Sequence, residues 1–193
     1  MAMESDLELM QRIRSGDAAS FETLLRRYRL PLVAYFHRMV RDPALAEDLA
    51  QEVFLRVYKA RERYQPEARF TTWLYRIATN LALNAIRDRK DAVSDSASED
   101  CEGGPVLERF VDSRPTAEQQ LMLGDRERLI RQAIAGLPEN QRVAVILHKY
   151  QEVHYRQIAK ILSVSESAVK SLLFRAYEAL RERLEPLLRE GLI

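Results

Sequence analysis

The sequence predicts an all-α protein of two small helical domains joined by a flexible acidic linker. Three observations carry this reading. Apolar residues return every three or four positions with little strand-like alternation, helix-start signals recur along the chain, and one stretch is too polar to bury. At 193 residues the chain is long enough for two modules, each near the lower limit for burying a core unaided.

Taken in order, the periodicity predicts helices over residues 5–15, 18–40, 43–61 and 70–90, then 116–135, 138–149, 154–162 and 166–184. Ser5 with Glu8, and Thr116 with Gln119, have the spacing of a capping box, in which two side chains satisfy reciprocal backbone donors at a helix start. Asp42 before Pro43 and Leu137 before Pro138 place proline at a first helical position, where its missing N–H costs nothing. Between the fourth and fifth helices, Ser94 to Pro105 (SDSASEDCEGGP) joins serines, acids, a glycine pair and a proline with almost nothing apolar. The expected domains are therefore residues 1–90 and 116–193, with 91–115 as a solvated tether.

Composition excludes several classes. With 47% apolar and 31% charged residues, widespread disorder is not expected. No run reaches the eighteen or so apolar residues of a membrane span, and Glu4, Asp6 and Glu8 lack the pattern of a signal peptide, so a cytoplasmic protein without membrane insertion is expected. Cys101 has no partner for a disulfide, and His37, His148 and His154 have no metal-ligand spacing. Neither a glycine-rich phosphate loop nor a nucleophile elbow is present, so no metal, cofactor or catalysis is expected.

The net charge of +1 hides a strong asymmetry. Residues 56–90 hold nine basic and three acidic side chains, residues 91–118 two and eight, and residues 154–183 six and three. Two basic zones thus flank an acidic one, the distribution of a nucleic-acid binder whose counter-charge lies elsewhere in the chain.

The C-terminal basic zone contains YRQIAKILSVSESAVKSLLFRAYEAL, residues 155–180, which resembles a helix-turn-helix. Ile158, Ala159 and Leu162 line a short first helix, Val164 sits in the turn, and Val169, Leu172 and Leu173 face back from a second. Ser165 can cap that second helix. Lys170, Ser171, Phe174 and Arg175 are then left on the face that enters a major groove. Ser163 occupies a turn position that often holds glycine because the backbone there needs positive φ.

In the N-terminal basic zone, RFTTWLYRIATNLALNAIRDRK (69–90) threads aromatic, basic and amide residues along one helix. Phe70, Trp73, Tyr75 and Tyr64 offer flat faces for unpaired bases, arginines screen phosphates, and Asn80 and Asn84 can read base edges. Trp73 and Ile77 at helical spacing also suit a core, so the stripe is persuasive only with its neighbours.

With both motifs in place, the chain resembles the extracytoplasmic-function group of bacterial sigma factors, which carry only the second and fourth regions of their family. SGDAASFETLLRRYRLPLVAYFHRMVRDPALAEDLAQEVFLRVYKA and FTTWLYRIATNLALN look like region two, a helical bundle. LPENQRVAVILHKYQEVHYRQIAKILSVSESAVKSLLFRAYEAL looks like region four, a helix-turn-helix module. The resemblance implies a factor that binds core RNA polymerase through its β and β′ subunits, directs it to promoter DNA and helps open the strands.

It also implies roles by position. Asp48, Gln51, Glu52, Phe54, Leu55 and Tyr58 would dock on the clamp of the largest subunit, with Leu49, Val53 and Val57 facing inward. Arg56, Ala60, Tyr64, Phe70, Trp73, Arg76, Ile77 and Asn80 would surround the minus-ten element, with a flipped base held in the loop between Tyr64 and Phe70. Ser165, Lys170, Ser171, Phe174 and Arg175 would meet the minus-thirty-five element, with Arg156 and Arg181 on phosphates. A monomer when free, held inactive by an anti-sigma protein, is further implied. Two other readings compete: a stand-alone helix-turn-helix regulator acting as a dimer, and an N-terminal half that only binds protein.

Overall fold

The computed structural model describes residues 4–65, 69–95 and 117–189, with side chains placed for 4–65, 69–89 and 126–189. The described residues form eight α-helices and no strand. They are α1 (Asp6–Arg14), α2 (Ala18–Val40), α3 (Pro43–Lys59), α4 (Phe70–Asp95), α5 (Ala117–Ala135), α6 (Glu139–Tyr150), α7 (Tyr155–Leu162) and α8 (Glu166–Arg189), with a short 3-10 turn at Arg61–Arg63.

The helix starts follow their capping chemistry. The Ser5 N–H donates to Glu8 at 2.8 Å and the Glu8 N–H returns a bond to Ser5 Oγ, so the expected box begins α1. The same hydrogen bonds from Ser5 hold the Glu8 carboxyl below the usual range. Asp17 caps α2 through the amides of Ala19 and Ser20, and Gly16 at φ +94° makes the turn before it. Asp42 accepts the Leu45 N–H with Pro43 in the first turn of α3. Pro138 differs from expectation: its extended ψ of 145° makes it the cap residue, and α6 starts one residue later. The expected box of Thr116 and Gln119 lies outside the described side chains.

Two helices run past their expected ends. The fourth continues to Asp95, so residues 91–95 of the expected tether are helical; no glycine or proline interrupts the chain there. The eighth carries Pro186 within its last turns and continues to Arg189. The missing N–H of Pro186 leaves the Glu182 carbonyl without its intrahelical donor, and because both residues are exposed, water can take that place. Cys101 and residues 96–116 lie outside the described residues.

Two cores result. In the first, α1 to α4 bury Leu9, Leu24, Tyr35, Phe36, Val53, Val57 and Leu74, and the buried hydroxyls of Tyr35 and Thr79 satisfy each other at 2.9 Å. In the second, α6 contributes Val143 to Leu147, α7 Ile158 and Ile161, and α8 Val169, Leu173 and Ala176. Arg183 reaches from α8 to the carbonyls of Ala133 and Gly136, closing the end of α5. The two bundles touch along α2 and α4 on one side and α5, α6 and α7 on the other.

Candidate nucleic-acid interface

Three exposed faces hold most of the residues singled out from the sequence, while Phe54, Phe70 and Tyr75 are buried. On α4, Leu74, Tyr75, Ala78, Leu81 and Ala82 point into the molecule. The 3.6-residue period then turns Trp73, Arg76, Ile77 and Asn80 onto another stripe, with Arg76 and Asn80 exposed. Trp73 and Ile77 are half-buried and packed against the core at one edge, so the core and surface readings are both partly met. Asn84 and Arg87 extend this stripe by two turns; both are exposed, and Arg87 donates to Asn84 Oδ1 at 3.1 Å. Arg87 was not singled out from the sequence, although its spacing from Asn80 and Asn84 was a usable signal.

At the N-terminal end of that stripe, Tyr64, Phe70 and Trp73 form an aromatic cluster. Ring centroids are 4.9 Å apart for Tyr64 and Trp73, and 5.9 Å for Phe70 and Trp73. Burial raises the pKa of the Tyr64 hydroxyl, which stays neutral. Phe70 departs from expectation: only 4% exposed and one turn before Leu74, it supports the Tyr64 and Trp73 rings from beneath and is not available as a contact. Residues 66–68, the centre of the expected base-holding loop, lie outside the described residues. On α3, Ala60 follows the last residue as its half-buried C-cap, and Arg56 is exposed and paired with Glu52 at 2.8 Å.

On α3 the inward stripe is Ala46, Ala50, Val53 and Val57, and Leu49 is half-buried. Asp48, Gln51, Leu55 and Tyr58 are exposed and Glu52 is half-buried, which leaves an acidic edge with two apolar side chains in it. Phe54 is a second correction. Four residues after Ala50 and three before Val57, it falls on the buried stripe, 5% exposed and edge-on to Phe21. Tyr58 packs on Phe21 from one direction and carries the Arg61 guanidinium at 4.2 Å from the other.

The third face belongs to α7 and α8. Ser163 sits at φ 55°, ψ 44°, the left-handed conformation that ends α7. Ser165 Oγ accepts the Ala168 N–H at 3.1 Å and starts α8. Ile161 is buried although it was not singled out, Leu162 is only half-buried, and Val164 is 39% exposed. Lys170, Ser171, Phe174 and Arg175 are all exposed on α8, and Arg156 is exposed on α7. Phe174 stands out at 67% exposed, since it sits on a helix whose opposite face is fully packed. An apolar ring among a lysine, a serine and an arginine matches what a major groove offers: thymine methyl groups beside base-edge acceptors and phosphates.

The described part of the chain is thus an α-helical reader with a helix-turn-helix at one end and an aromatic-basic helix at the other. It matches two sigma-70 families, region 2 over residues 24–92 and region 4 over residues 127–180. It is 34% identical over 195 residues to the RNA polymerase sigma-H factor of Pseudomonas aeruginosa, with 99% of this chain and 100% of that protein aligned. It is 32% identical over 191 residues to the ECF RNA polymerase sigma-E factor of Escherichia coli, covering 96% of this chain and 97% of that protein.

Among solved structures, the fold is similar to that of CnrH in complex with the cytosolic domain of CnrY. The TM-score is 0.70 at 20% identity, covering 95% of this chain and 99% of that one. It is also similar to the sigma factor RpoE in complex with the anti-sigma factor NepR from Bartonella quintana. Here the TM-score is 0.68 at 22% identity, covering 86% and 96%. The chain belongs to the sigma-70 family of RNA polymerase sigma factors, in its extracytoplasmic-function group, and is a transcription initiation factor. Membership sets aside the stand-alone regulator as its class.

Proposed function

We propose that this factor binds core RNA polymerase through the α3 edge and brings it to promoters with two recognition elements, one read by α8 and one opened on α4. The observation that carries this is the pairing of two exposed reading faces of different chemistry on separate bundles. The α8 face offers charge, hydroxyls and Phe174 to a duplex groove. The α4 face offers stacking rings and amides, which suit unpaired bases. Residues 1–90 and 116–193 act as the two modules, with 91–115 connecting them.

On the α4 face, Arg56 and Arg76 hold phosphates, Asn80 meets base edges, and Tyr64 and Trp73, steadied by Phe70, hold bases out of the stack with Ala60 and Ile77 beside them. Opening requires no hydrolysis. Stacking at about 1–3 kcal/mol per base offsets the few kcal/mol of unpairing, a task shared with the polymerase. On the α8 side, Lys170 and Arg175 discriminate bases, Ser165 and Ser171 assist, and Arg156 and Arg181 hold phosphates. Asp48, Gln51, Glu52, Leu55 and Tyr58 form the polymerase edge. The factor is a cytoplasmic monomer when free and needs no cofactor or metal. Because the similar solved chains are held by CnrY and by the anti-sigma factor NepR, an anti-sigma partner is proposed here too.

Run-off transcription with core polymerase on fragmented source-genome DNA, with start sites mapped, tests this reading. New starts sharing two spaced upstream elements are expected. No new starts, together with tight DNA binding in the absence of polymerase, would overturn it.

A further inference from the structure

Arg61 stands midway between two of the faces described above and has no role in either. Three residues before it, Tyr58 is 43% exposed on the α3 edge; three residues after it, Tyr64 lies 4.9 Å from Trp73 in the aromatic cluster. The backbone between them is the 3-10 turn Arg61–Arg63, which has no side-chain cap at its start and in which the Arg63 N–H donates to the Ala60 carbonyl at 3.0 Å. Helices α1 and α3 both pack on this turn. The Arg61 side chain folds back along the chain, with its guanidinium 4.2 Å from the Tyr58 ring centroid and Nη1 donating to the Tyr58 carbonyl at 2.9 Å. The same ring meets Phe21 at 5.2 Å between centroids.

An arginine just past a helix end commonly does no more than bond the last carbonyls. The bond to the Tyr58 carbonyl is that contact, and a lysine could make it. The stacked guanidinium is a different contact, because it fixes the ring that the α3 edge presents. The Arg61 side chain is only 25% exposed, whereas a merely solvated helix-end arginine would keep its charged head in water. Its approach to Glu62 at 3.4 Å adds little, since the Glu62 carboxylate is exposed.

We infer that Arg61 is a positioning residue that couples polymerase docking at Tyr58 to the holding of an unpaired base at Tyr64 and Trp73, an inference that rests on the function proposed above. A cation–π contact is weak while water reaches it and grows stronger when it is desolvated. Polymerase seated on the α3 edge covers Tyr58 and excludes water from the stacked guanidinium. The contact then tightens, and the short turn that begins at Arg61 is held more firmly, with Tyr64 at its end already placed for a base. Binding a base there orders less of the chain than it would in the free factor, so the two events favour each other. Linkage makes the effect reciprocal: whatever factor polymerase adds to base affinity, the base adds to polymerase affinity.

The test measures the affinity of the full chain for core polymerase with and without a saturating oligonucleotide of the nontemplate strand, cut to the downstream element of a promoter mapped by run-off transcription. In wild type the oligonucleotide should tighten polymerase binding by about fivefold or more. Arg61→Ala should bring that ratio close to one, whatever it does to polymerase affinity alone. Arg61→Lys, which keeps the charge and the carbonyl bond but not the flat stack, should fall between the two. Tyr58→Leu, which removes the ring, should lower the ratio as far as Arg61→Ala does, and combining the two should lower it no further. A wild-type ratio in Arg61→Ala and Tyr58→Leu variants of native helicity would overturn the coupling and leave Arg61 as a helix-end contact. A ratio of one in wild type, with the oligonucleotide bound, would overturn it as well while leaving the α4 reading intact. An oligonucleotide that fails to bind the wild-type factor on polymerase contradicts the α4 reading itself, and the coupling falls with it.

Discussion

Ser163 shows how a single residue carries both fold and function. Its φ of 55° is a conformation that L side chains enter at a cost and glycine enters freely, and it sets the angle between α7 and α8. Ser163→Gly should therefore stabilise the protein by about 0.5 to 1 kcal/mol, part of the relief being offset by the greater freedom of glycine in the unfolded chain. Urea unfolding checks this; a loss of stability would mean that the serine hydroxyl contributes more than the backbone strain costs. The need for positive φ was legible in the sequence, as were the Ser165 cap and the Ser5–Glu8 box, because each depends on residues three or four apart. The burial of Phe54 and Phe70 was legible too, since each stands at helical spacing from apolar residues of its own helix, Val57 and Leu74; it was the resemblance that placed them among the contacts.

At the scale of an element, α4 does two tasks with adjacent residues. Leu74 is fully buried, and Leu74→Ala should cost about 3 kcal/mol of stability through lost burial and a cavity. Trp73, one residue earlier, is half-buried against Tyr64. Trp73→Ala should keep a cooperative thermal transition while reducing promoter opening about tenfold, read as permanganate reactivity of unpaired thymines. If opening were unchanged, the aromatic cluster would be packing alone. The helical period made this division readable in advance for the middle of α4. It did not mark how far α4 and α8 run, since no glycine or proline stands in residues 91–95 and Pro186 is tolerated inside α8.

At the scale of the whole molecule, the meeting of the two bundles was the least legible feature. Thr72, Gln151 and Gln157 are polar residues with no periodic signature, and nothing in a one-dimensional pattern pairs them. The seam also has an electrostatic side. His37 on α2 has its pKa lowered, chiefly by burial and then by the positive charges of Arg131 on α5 and Arg38 on its own helix. A histidine whose folded pKa lies below its unfolded value of about 6.5 binds fewer protons in the native state, so its neutral form favours folding above that pH. Stability should then fall as pH drops from about 7 through 6 and below. The melting temperature of wild type should decrease between pH 7.5 and 5.5, and His37→Gln should flatten that decrease. An equal slope in both proteins would assign the pH dependence to other groups.

If two faces read two promoter elements, mapping transcription starts with core polymerase for wild type, Lys170→Ala with Arg175→Ala, and Asn80→Ala will separate them. The predicted result is separable loss. The first pair relaxes base preference only in the upstream element, by about 1–3 kcal/mol for a base-reading arginine, and Asn80→Ala relaxes it only in the downstream one. Identical base preferences in all three proteins would contradict the claim.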